Sequence, residues 1–220
     1  MNVSESCKQR KSIRGFSSKS PEKSTILQCL EAASWAPNPT GQQPWQFIVL
    51  SGKSLQQACS AIAERFADAQ AERADQSPPQ FGGDIAAVIE KRRQETFSAM
   101  IKHLEDHQAD LQALGEGNFN FHRAPMAILF GTWPCKDDSF LKATVAAMQS
   151  FMLAACERGL GTCWMNAVSI CQDAIKEALN LHPGLILVDG LAVGYPDENA
   201  PVNDLPRTRL PIGEVTRWLT

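Results

Sequence analysis

The sequence has no Cys-x-x-Cys pair, no Cys/His grouping at zinc spacing, no G-x-G-x-x-G loop and no run of 18 or more apolar residues. Each absence removes a class of protein. The seven cysteines (7, 29, 59, 135, 156, 163 and 171) are an odd, scattered set, which reads as free thiols in a reducing compartment. Cys29 and Cys156 fall in helical apolar patterns, the setting of a small buried hydrophobe, and nothing nearby supplies a base to activate a thiol. The glycines of "GLGT" follow a helical pattern instead of a strand, so they do not form a dinucleotide-binding loop. Without a long apolar run no membrane span is expected. The polar start of the chain lacks the apolar core of a secretory signal, so a cytoplasmic protein is expected. Positive charge is short as well. With 21 Lys and Arg against 24 Asp and Glu, a net charge of −3 and a pI near 5.8, there is no broad basic surface for nucleic acid. No repeat or low-complexity segment is present.

What is there is an ordinary globular composition over 220 residues, long enough for one domain with a sizeable core. Ser20-Pro21 predicts a helix start, followed by Ile26, Leu27, Leu30 and Ala33 at helical spacing and stopped by Pro37 and Pro39. "WQFIVL" (45–50) predicts a buried strand, and Leu55, Cys59, Ile62 and Phe66 a helix that runs up to "QSPPQFGG". Residues 84 to about 114 predict a long polar helix with Ile85, Val88, Ile89, Met100, Ile101 and Leu104 on its apolar side. "PMAILFG" (125–131) predicts a strand, 140–156 a strongly periodic helix, 162–165 a strand, 171–180 a short helix and "LILVDGLAVGY" (185–195) a core strand. Strands separated by helices make a layered α/β or α+β fold. His103 and His107 are four apart on one helix face, but the H-E-x-x-H order and a third ligand are missing. A solvated helix face is expected there, and no metal site.

Four stretches carry the chemistry. "RKSIRGF" (10–16) sets Arg10, Lys11 and Arg14 within five positions and adds the Ser12 hydroxyl. "APNPTGQQPW" (36–45) is a loop of Pro, Asn, Thr and Gly between a helix and a strand, the kind of loop that exposes binding groups on a rigid scaffold. "GLGTCWMN" (159–166) has glycines that let backbone N–H groups approach a ligand. "LPRTRLP" places Arg207 and Arg209 almost at the other end of a mildly acidic chain. Taken singly, each is common on ordinary surfaces.

In this order and at these separations the four stretches resemble the FMN-dependent nitroreductase family. The resemblance covers residues 8–50 and 122–219 and rests on the opening basic segment, P-x-x-x-x-x-Q-P-W, and the ending "GYPD…PVN…RTRLP". It implies an α+β nitroreductase-like fold, a central mostly antiparallel sheet flanked by helices, as an intertwined homodimer with flavin at the subunit interface. One flavin-binding domain would span 1–220, with a helical insertion or lid at about 67–120. Arg10, Ser12, Arg207 and Arg209 would hold the FMN phosphate, Lys11 would lie beside it and the ribityl chain, and Arg14 would lie near the pyrimidine end of the ring. Pro37, Asn38, Pro39 and Thr40 would reach the flavin from the partner subunit, and Trp164, Met165 and Asn166 would line its buried face. Relatives often carry small hydroxyl residues where Asn38 and Pro39 stand, and Lys11 replaces an arginine, which keeps the charge and loses the bidentate geometry.

The implied activity is transfer of hydride from NADH or NADPH to the flavin and on to a nitroaromatic or quinone acceptor in ping-pong fashion, the cofactor carrying the chemistry. The same scaffold also supports flavin fragmentation, reductive dehalogenation and non-enzymatic flavin binding. Phe81, Phe119 and Phe121 are candidates for the acceptor pocket, with plain core packing the alternative for each. Trp218 is a candidate anchor on the partner subunit, with core burial as its alternative.

Overall fold

The computed structural model describes residues 1–74, 83–111 and 115–219. Four strands form its middle layer: β1 (Trp45–Ser51), β2 (Met126–Thr132), β3 (Gly161–Met165) and β4 (Ile186–Gly194). They pair antiparallel in the spatial order β1-β2-β4-β3. Because side chains alternate along a strand, Ala127 and Leu129 enter one core while Ile128 and Phe130 enter the other. Ala192 and its neighbours Leu191 and Val193 divide in the same way. Both faces are covered, so the central strands read as unbroken apolar runs.

The helices are α1 (Val3–Gln9), α2 (Lys23–Ser34), α3 (Gly52–Ala74), α4 (Gly83–Asp106), α5 (Ser139–Glu157), α6 (Ala167–Ile170) and α7 (Gln172–Ala178). On one face of the sheet α2 packs against α5; on the other lie α3, α6 and α7. By length and composition α5 is the one described helix apolar enough to cross a bilayer. Here Ala147, Met148, Phe151 and Ala155 bury it in the core against the sheet.

Two helices depart from the sequence expectation. α2 starts at Lys23 rather than at Ser20-Pro21, because Pro21 is buried in the interior and Glu22 occupies the N-cap without a side-chain bond. α1 was not expected at all. It is closed by a capping box in which Asn2 Oδ1 accepts from Glu5 N–H at 3.0 Å and Glu5 Oε2 accepts from Asn2 N–H at 2.9 Å. The long polar helix α4 ends at Asp106, and of its expected apolar side only Leu104 is fully buried, while Ile85, Val88 and Ile89 are exposed.

The segment after α1 is an added edge to the sheet. Ser12 bridges Thr162 of β3 in parallel, and Ile13 N–H donates to the Thr162 carbonyl at 2.9 Å. Further along, Phe16 bridges Pro196 and Ser17 N–H donates to the Tyr195 carbonyl at 2.9 Å. The close approach depends on Gly161, where a Cβ would stand 2.6 Å from Ile13 Cγ1. Gly161→Ala must therefore push Ile13 out of its buried seat. Urea unfolding should show a loss of about 1–3 kcal/mol; an unchanged midpoint would mean that the docking of residues 12–13 on β3 is not tight.

Candidate functional site

The structure brings the two ends of the sequence together. Arg10, Lys11, Ser12 and Arg14 share a cavity of about 220 Å³ with Arg207 and Arg209. One buried side chain does most of the joining. Asn203 Oδ1 accepts from the N–H of Arg14 at 2.8 Å and of Gly15 at 2.9 Å, and its Nδ2 donates to the carbonyls of Gly15 and Asp197 at 2.8 and 2.9 Å. Every bonding position of the amide that matters is taken, which is the condition for burying it.

Arg207 sits on the end of α1. Its guanidinium donates to the Arg10 carbonyl at 2.6 Å and to the Lys8 carbonyl at 3.0 Å, covering carbonyls that the helix C-terminus leaves open. Lys11 Nζ lies 2.6 Å from Asp204 Oδ1, and that contact holds the Asp204 carboxyl below its usual range. Among the described residues, Arg10, Arg14, Arg207 and Arg209 have no carboxylate partner. Burial and then the charges of Arg207 and Arg209 press the Arg10 guanidinium below its ordinary pKa. Concentrated positive charge without a counter-charge is a cradle for an anion.

The remaining predicted residues are placed as follows. Trp164 donates its indole N–H to Asp189 Oδ2 at 2.6 Å and is half-buried; Met165 is fully buried in the core; Asn166 is exposed at the end of β3. They share β3, or its end, with Thr162, to which the cationic segment is docked. The loop Pro37–Thr40 is not part of the cradle within one chain, and its turn at Pro39–Gly41 packs on α5. Asn38 staples that loop internally, accepting from Gln43 N–H at 2.9 Å and donating to the Ala36 carbonyl at 3.3 Å. Thr40 and Gln43 are held at positive φ, 45° and 46°.

Of the pocket aromatics, Phe81 lies outside the described residues. Phe121 is a core residue instead of a pocket wall: it is fully buried against Gly190 and Leu129. Phe119 packs edge-to-face on Phe66 at 5.0 Å. Both follow the core-packing alternative. His103 is not on a freely solvated face either, since its Nε2 lies 3.1 Å from the Pro201 carbonyl oxygen. No group of three or more metal-ligating side chains occurs among the described residues.

Sequence reasoning missed Asn203, Asn120, His122, Thr96 and Met100. Asn203 belongs to the "PVN" motif, whose proline and apolar neighbour give no hint of a buried amide. Thr96 and Met100 come to the cavity wall from α4. Phe121, His122 and Arg123 all adopt left-handed backbone, with φ of 50°, 52° and 55°. Three such non-glycine residues in a row cost about 1–2 kcal/mol each. Beside this strained turn Asn120 Oδ1 is buried with no hydrogen-bond partner among the described residues. Within it His122 is buried, and burial, then the charge of Arg14, lowers its pKa to about 4.

That shift has a defined sign. The imidazole titrates near 6.5 when unfolded and near 4 when folded, so between these values the unfolded chain binds more protons. The contribution of His122 is full above pH 6.5 and falls as pH drops toward 4, by about 3 kcal/mol for this group. His122→Phe should flatten the stability profile in that window, measured by urea unfolding at half-unit pH steps. Equal slopes in the two proteins would mean that His122 is not held neutral.

Known proteins are similar to this chain over nearly its whole length. The sequence pattern of the Nitroreductase family matches residues 7–195. A 4-nitrobenzoate reductase of Pseudomonas putida is 30% identical over 211 residues, covering 91% of this chain and 88% of that protein. The nitroreductase NfnB of Mycolicibacterium smegmatis is 26% identical, covering 96% of this chain and 90% of its own length. The crystal structure of an FMN and NADPH-dependent nitroreductase NfnB from Sphigopyxis sp. strain HMH superposes with a TM-score of 0.86 at 26% identity, covering all of both chains. With its two distant cationic segments joined on an antiparallel sheet of this topology, the chain belongs to the Nitroreductase family.

Proposed function

We propose that this protein is an FMN-dependent oxidoreductase of the nitroreductase type, which draws electrons from NADPH or NADH and reduces nitroaromatic or quinone acceptors, working as a homodimer. The observation that carries the reading is the shared cavity of Arg10, Ser12, Arg14, Arg207 and Arg209. A phosphate dianion suits a group of cations with no carboxylate partners among the described residues, each charge-assisted donor contributing about 1.5–3 kcal/mol. When bound, FMN supplies the redox chemistry, taking two electrons from the nicotinamide and passing them to the acceptor in alternation.

The chain's own part is position and electrostatics. Arg207, with two N–H groups spent on α1, keeps its other donors for the phosphate, and Arg209 completes the clamp. Arg14, its backbone held by Asn203, would stabilise negative charge gathering at the pyrimidine end of the reduced cofactor. Burial, and then the charge of Arg14, keep the neighbouring His122 neutral. The homodimer reading is supported by apolar surface left open on one chain: Trp35 is 84% exposed, Trp218 87% and Ile212 78%. Trp35 stands next to the Pro37–Thr40 loop, and Trp218 and Ile212 lie on the C-terminal arm, so a partner copy would cover both regions.

The purified protein should be yellow, bleach on addition of NADPH or NADH, and recover its colour with a nitroarene or quinone. Arg207→Ala with Arg209→Ala should weaken FMN binding roughly 10²–10⁴-fold, from two charge-assisted donors lost, as followed by quenching of flavin fluorescence. Circular dichroism checks that α1, which Arg207 caps, is still formed. A folded double variant that binds FMN as tightly as the parent would sink the assignment.

A further inference from the structure

We propose that α4 is the cover of the anion cradle and that His103 is the positioning residue that holds it closed, so that exchange of the bound cofactor requires this contact to break. Thr96, Met100 and His103 lie on α4 and His107 follows one residue past its end, at intervals of four, three and four residues, which keeps the four on one stripe. The first two line the 220 Å³ cavity beside Arg10 and Arg209. The third reaches out of the cavity wall to the protein: His103 Nε2 lies 3.1 Å from the Pro201 carbonyl oxygen, an acceptor, so Nε2 carries the proton. The fourth braces it. His107 Nδ1 lies 2.7 Å from the His103 carbonyl oxygen, and the two rings are in tilted contact with centroids 4.3 Å apart and planes 31° apart.

The place of attachment gives the contact its weight. Pro201–Asn203 is a single 3₁₀ turn. Asn203 in that turn binds the backbone of Arg14 and Gly15, and Asp204, the next residue, binds Lys11. His103 therefore ties the insertion to the same turn that orders the cationic segment. Elsewhere α4 is weakly held: residues 91–99 are exposed, and its buried anchor is Leu104, next to His103. A helix of 24 residues fastened near one end, with the middle of one stripe over the cradle, can swing once the fastening is undone.

For the identity of the ligand this inference rests on the FMN reading; the His103 contact itself does not. The test is the release rate of FMN from the holoprotein, followed by the return of flavin fluorescence on dilution. His103→Ala should release FMN roughly three- to ten-fold faster, the range of one hydrogen bond, with an association rate within about two-fold of the parent because no cation is touched. His103→Gln, whose side-chain N–H can still donate to Pro201, should stay within about two-fold of the parent on both rates. Release from His103→Ala at the parental rate would overturn the proposal. So would equal acceleration in both variants.

A measurement on the unaltered protein covers the case of a variant that does not fold. Hydrogen exchange at the backbone amides of 100–107 should slow when FMN is bound, and unchanged exchange would overturn the proposal. If the parent protein does not take up FMN, the FMN reading fails by itself. The same exchange experiment with inorganic phosphate as the probe then decides the cover: slowed exchange at 100–107 supports it and unchanged exchange refutes it.

Discussion

The arrangement hangs on the buried amide of Asn203. Two stretches of chain nearly the whole sequence apart meet because this one side chain bonds both the N–H groups and the carbonyl of the cationic segment. The meeting is electrostatically unfavourable, since it buries Arg10 and sets it against Arg207 and Arg209, which together lower the pKa of Arg10. It is offset locally by satisfied hydrogen bonds: the Asn203 network, the Arg207 guanidinium on the open carbonyls at the end of α1, and the Lys11–Asp204 pair. The cationic cluster is thus held in place by hydrogen bonds within one chain. An anion bound there would relieve repulsion already present in the fold, with little reorganisation left to oppose it.

The sheet is what makes that site rigid. β3 is an edge strand of the four, and the cationic segment docks on its free side through Thr162, so Ser12 and Arg14 are carried by the most regular part of the molecule. Glycine at 161 permits the contact. Phe121 fills the space over Gly190, where a Cβ would meet Val168 and Phe121 itself. Phe121, His122 and Arg123 share one left-handed turn, in which His122 is buried and neutral. Core packing and the electrostatics around Arg14 are thus two results of one strained turn.

Much of this was legible in the residues. The runs "WQFIVL", "PMAILFG" and "LILVDGLAVGY" announce buried strands because strands covered on both faces need no polar alternation, and β1, β2 and β4 lie there. The periodic helix of 140–156 is α5, to within one residue at each end. The cationic ends stood out against a mildly acidic background, and their family resemblance stated that they meet. The capping box of α1 is equally legible, in Asn2 and Glu5, although the helix it starts carries no apolar run.

Local chemistry thus determined the elements and the identity of the charged groups, since propensity, capping and periodicity act over a few residues. Four matters were decided by the tertiary structure alone. They are that Asn203 is the joint, that Phe121 turns into the core, that Asn120 Oδ1 is buried without a partner among the described residues, and that α4 reaches the cradle through Thr96 and Met100. Each depends on contacts between segments far apart along the chain. A side chain's partners at that range are set by how the layers pack, a property that no short stretch of sequence possesses.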